Sequence, residues 1–137
     1  INESNFQHYK AAFFAFLILN LIEFAIYHRQ IQEKKSHILS RLTATTFAPW
    51  IVFLLWYLAP AIYGRMPTIL LEIIYANIIT LSVGYFVSSL EQGFAQIRYT
   101  RNLSTLILIL FTASIVLYIS FTLRLPWADV FIEPDWR

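Results

Sequence analysis

Cysteine is missing from this sequence altogether, glycine occurs three times in 137 residues, and only 13% of the side chains carry a charge. Each shortage excludes something. Without cysteine there are no disulfides, thiolate metal sites or cysteine nucleophiles. With so little glycine, no glycine-rich loop can cradle a phosphate. With so few charges, the chain cannot present the solvated surface of an ordinary soluble domain. What fills the space is apolar. Hydrophobic residues make up 58% of the sequence and aromatics 18%, with a mean hydropathy of +0.61. A chain this short and this apolar spends nearly all its length on spanning segments and their connections.

The pattern predicts one all-α domain over residues 1–137, an integral membrane four-helix bundle with spans at about 11–27, 47–63, 68–90 and 103–123. Ile1 points to a trimmed start, and no basic segment followed by a cleavage site marks a signal peptide. Residues 30–45, with Arg29 just before them, mix Lys34, Lys35 and Arg41 with Ile31, Ile38, Leu39 and Leu42 at helical spacing, which predicts that the first helix ends in an amphipathic stretch lying at the membrane surface. Pro49 is placed in the first turn of the second span, where it is harmless. Pro60 should kink or end that span near Trp56, and residues 64–67 should turn tightly into the third span. Thr105, Thr112, Ser114 and Ser120 of the fourth span can bond their own helix backbone.

Orientation follows from the loops. The connections 28–46 and 91–102 hold six Lys/Arg against two acids, Glu33 and Glu91, whereas the other side holds four Lys/Arg and four acids. The basic connections are therefore expected on the inner side and both termini on the outer side. Spans one and three then run the same way. Asn20 and Asn77, each ten residues from its outer flank, fall at one depth at a rise of about 1.5 Å per residue.

The third span is the expected organising element. At steps of four it places Ala76, Thr80, Gly84 and Ser88 on one face, a ridge of small side chains that lets helices approach closely where lipid gives no hydrophobic drive. Glu72 shares that face. Asn20, Glu23, Glu72 and Asn77 are the candidate intramembrane polar path, with Thr80 beside them, because such groups in an apolar span should face protein or water. Their other reading is packing: amides bonding across helices, Glu23 paired with His28 or Arg29, and Glu72 reaching back to the interface. As no Lys or Arg falls within the four predicted apolar cores, a buried Glu72 or Glu23 should be protonated or paired with another chain.

No set of residues assembles a nucleophilic triad, a phosphate loop or a paired catalytic carboxylate motif, so no enzyme activity is expected. His8, His28 and His37 fall on separate segments, so no haem, metal or other cofactor is expected. Asn2 and Asn102 begin weak glycosylation triplets, the second on the inner side. The tail 124–137 carries Trp127, Phe131 and Trp136 along with Pro126 and Pro134, too apolar for a free terminus, and it should lie on the outer leaflet or against a partner. The expected partners are the lipid bilayer and other membrane subunits or copies of this chain, with no nucleic acid. Two functions fit: an accessory or assembly subunit of a larger membrane complex, or a self-assembling ion channel or proton-coupled carrier using Glu72, Asn77, Asn20 and Glu23.

Overall fold

The computed structural model describes residues 5–64 and 68–124, and the tail with Trp127, Phe131 and Trp136 lies outside them. Four helices follow in order: α1 (Asn5–Tyr27), α2 (Lys34–Tyr63), α3 (Ile69–Ala95) and α4 (Arg101–Leu123). Each is long and apolar enough to cross a membrane. Their ends are set by local chemistry. The Thr68 and Thr100 hydroxyls accept from the amides of Leu71 and Leu103, capping α3 and α4 and satisfying donors that a helix start leaves open. Gly64, at φ +74°, stands just past α2 in the left-handed conformation that glycine adopts without strain.

The organising helix is α2, not α3. It touches each of the other three helices, and 39% of its apolar span is buried, against 6–17% for the others. The reason is a ridge that the surface reading of residues 30–45 concealed. Ser40, Ala44 and Ala48 are each fully buried, with Val52 nearly so. Spaced four apart, they offer neighbours a groove with almost no side chain in it. Into it α3 sets Ile79, Val83 and Val87, also four apart and buried. The hydroxyl of Tyr75 on α3 donates to the carbonyl of Leu55 on α2.

This packing corrects two further expectations. Residues 34–45 are not a separate surface stretch but the opening turns of α2, continuous to Tyr63. Pro49 therefore sits inside the helix, buried, where it leaves the Thr45 carbonyl without its usual amide partner. Nor does Pro60 end the helix near Trp56, since α2 runs on to Tyr63.

Between α1 and α4 the contact is made mostly by rings, with Lys10 Nζ also donating to the Thr122 hydroxyl at 3.3 Å. Phe13, fully buried, stacks on Phe111 at 5.7 Å and meets Tyr118 at 5.0 Å, while Phe6 lies 5.7 Å from Tyr118. Large rings hold these two backbones apart, where the small ridge of α2 draws its neighbours in. Thr105 and Ser114 bond the carbonyls of Arg101 and Leu110 in their own helix. The outward faces are apolar: Leu81 is 76% exposed, Tyr85 73% and Leu123 79%.

Candidate functional site

Where α1 ends, α2 begins and α3 ends, the three helices enclose an open cleft of about 550 Å³. Helical spacing explains its lining. Phe16, Leu19, Asn20 and Glu23 on α1 stand at steps of three and four, as do Ser88, Glu91, Gln92 and Ala95 on α3, so each set forms one stripe. From α2 comes Arg41. It donates to both oxygens of Glu23, Nη2 to Oε1 at 2.6 Å and Nε to Oε2 at 3.0 Å. The side chains are 18% exposed for Arg41 and 35% for Glu23, so the pair is partly withdrawn from solvent and its two-pronged geometry is fixed.

One turn deeper, the Asn20 amide donates to the Thr45 hydroxyl at 3.0 Å, and Glu91 lines the same cleft from α3. Glu91 further feels the charges of Arg41 and Glu23. Two carboxylates thus line one cleft with a single guanidinium, whose bonds go to Glu23 and not to Glu91. Beyond Asn20 and Thr45 the space between helices is closed by Phe13, Tyr9, Ala48 and Val52, all buried.

The residues proposed from sequence are distributed differently. Glu23 and Asn20 line the cleft, but the partner of Glu23 is Arg41 in the same chain, not another chain, His28 or Arg29. His28 instead bonds the Ala25 carbonyl at 2.9 Å. Asn77 is exposed and donates to the Ile73 carbonyl of its own helix at 2.8 Å, so it does not meet Asn20. Thr80, exposed too, bonds the Ala76 carbonyl. Glu72 lies in the first turn of α3, and its side chain falls outside the described residues. Of the small ridge, Ala76 and Gly84 are half-buried while Thr80 and Ser88 are exposed. The line that α3 buries within the chain is Ile79, Val83 and Val87, one residue round.

Two cleft residues escaped the sequence reading, Arg41 and Glu91. Both fall in segments whose composition reads as polar connections; the four-residue spacing of Ser40, Ala44 and Ala48 extends α2 back to include Arg41, and no comparable signal marks Glu91. The same end of the bundle is closed below the cleft by Ser36, whose hydroxyl donates to the Ala95 carbonyl at 2.7 Å, and by Lys35, which reaches the Tyr99 carbonyl at 3.3 Å. Tyr99 itself donates to the Phe94 carbonyl at 2.8 Å, and its burial there raises its phenol above the ordinary tyrosine value. Comparison with protein-family models, with curated proteins and with solved structures returns no match.

Proposed function

We propose that this chain is an integral membrane protein that serves as an accessory or assembly subunit of a larger membrane complex, without enzymatic activity of its own. Its basic connections face the inner side and both termini the outer side. One observation carries the preference for a subunit over a conduit. The ion pair Glu23–Arg41 and the Glu91 carboxylate gather at one end, and beyond Asn20 and Thr45 the described core is aromatic and aliphatic, its polar atoms there being tyrosine hydroxyls such as those of Tyr9 and Tyr75. An ion or proton crossing the chain would need polar groups or water at successive depths. The apolar outer faces, by contrast, suit lipid and neighbouring helices equally.

The test is particle mass after extraction in mild detergent. Different chains co-purifying in fixed ratio support the subunit. A discrete homo-oligomer that passes ions in vesicles would overturn it in favour of a channel lined from several copies, with Asn77 and Thr80 of α3 on its inner surface. Orientation is checked separately: single cysteines at Arg98 and at Thr68 should react from opposite sides of the membrane, and labelling of both from one side would refute the topology.

A further inference from the structure

The cleft holds three charged groups on three helices: Glu23 on α1, Arg41 on α2 and Glu91 on α3. Their formal sum is one negative charge. Arg41 spends its Nε and one Nη on Glu23, which leaves that pair neutral. What remains is the Glu91 carboxylate, half-buried on the α3 wall of the cleft and outside the guanidinium's two bonds. A carboxylate withdrawn from water and only partly compensated favours a cation beside it. The space is far larger than an ion requires: about 550 Å³, when a water molecule occupies roughly 30 Å³ of liquid and organic ligands take clefts of about 300–1,000 Å³. Its other wall is Phe16 and Leu19, an aromatic ring and an aliphatic chain, which suit hydrocarbon and the ring face of a cation–π contact.

We infer that this cleft is a binding site for an organic ammonium on a hydrocarbon body, with the charge held by Glu91 and the apolar part lying along Phe16 and Leu19. Glu23 and Arg41 are positioning residues. By satisfying each other, they hold the guanidinium away from Glu91 and keep the site monovalent. The same chemistry could arrive as the headgroup of an aminophospholipid or as a free amphipathic amine. The inference extends beyond the subunit reading, because it concerns the chain's own cleft whatever its partners are.

The test uses the full chain in detergent, with dodecylammonium as probe and dodecanol as its uncharged counterpart. Dodecylammonium should bind and dodecanol should bind at least about tenfold more weakly, a ratio set by one partly buried charge pair. Glu91→Gln should lose a similar factor. Glu23→Gln does not touch the ligand, yet it should weaken binding as well, because the freed guanidinium turns to Glu91. Glu23→Gln with Arg41→Gln restores one negative charge and should restore binding. Equal affinity for the two probes, or binding in Glu91→Gln equal to the parent, overturns the proposal. So does loss of binding in the double variant when its melting temperature matches that of Glu23→Gln, since that variant then lacks only the interfering cation. The source is read by native mass spectrometry after reconstitution in mixed phosphatidylethanolamine and phosphatidylglycerol. Retained phosphatidylethanolamine that dodecylammonium displaces identifies a lipid site, and an empty cleft that still takes the probe identifies a free amine.

Discussion

Arg41 and Glu23 meet across the α1–α2 interface through two hydrogen bonds, at 2.6 and 3.0 Å, although 18 residues separate them in sequence. The pair joins the end of one apolar helix to the early turns of the next, where each residue alone would be a charge inside a span. Removing Arg41 leaves Glu23 with no such partner, and removing Glu23 leaves the guanidinium only Glu91, which it reaches by rearranging, so either single change costs more than removing both. Arg41→Gln and Glu23→Gln should each lower thermal stability in detergent, by about 1–2 kcal/mol given the partial exposure. The double variant should lose clearly less than the sum. Additive losses in a double-mutant cycle would mean that the pair contributes no coupling.

The ridge of α2 gives a second prediction. Ala44 and Ala48 have no exposed surface at all, and both stand in the core shared with Ile79, Val83 and Val87. Ala44→Leu or Ala48→Leu adds three carbons where no room exists, and overpacking of this kind costs about 1–3 kcal/mol. Leu58→Ala, on an exposed part of the same helix, should change the melting temperature little. A scan in which all three behave alike would show that α2 is not the inner helix.

That ridge also shows how far the sequence could be read. Four apolar stretches long enough to span a membrane announce four helices, because nothing else satisfies so many backbone groups in so few polar residues. The start of α2 did not announce itself. Lys34, Lys35, His37 and Arg41 pull its first turns toward the polar average, so hydropathy places a surface segment there, while Ser40, Ala44 and Ala48 are too small to register as a core. Glu91 was hidden for the same reason, as α3 carries Glu91, Gln92 and Gly93 before ending at Ala95. Of the cleft, Asn20 and Glu23 were legible from their position in a span, because a polar group there demands a partner. Which partner it finds is set by how helices pack, and spacing along one helix does not contain that.

Tyr99, in the α3–α4 connection, predicts a pH dependence. Burial raises its phenol above the ordinary value, so the folded state favours the protonated form more than the unfolded chain does. The associated stability is fully present below about pH 10, where unfolded tyrosine titrates, and is lost as pH rises through the higher folded value. The measurement is the difference in melting temperature between the parent and Tyr99→Phe. Below pH 10 the parent should be more stable, by about 1 kcal/mol for the bond to Phe94, and above it the gap should narrow. A gap that widens at high pH would contradict the assignment.

Gly84 separates packing within the chain from packing between chains. Within the chain, a β-carbon added at Gly84 meets nothing within 4 Å, and the neighbouring buried line is Ile79, Val83 and Val87. Gly84→Ala should therefore stabilise the isolated chain slightly, by about 0.5–1 kcal/mol, because alanine orders a helix interior better than glycine. Ile79→Ala should lower its stability by about 2–5 kcal/mol. Gly84→Leu adds a larger side chain on the ridge with Ala76, Thr80 and Ser88, where a second helix would make its closest approach if the chain assembles through this face. The expected outcome is a melting temperature near that of the parent together with a smaller particle in mild detergent, since the fold survives and the neighbour is pushed away. Stability and mass must be read together. A Gly84→Leu protein that keeps both would place the ridge against lipid, and assembly would then have to use another face.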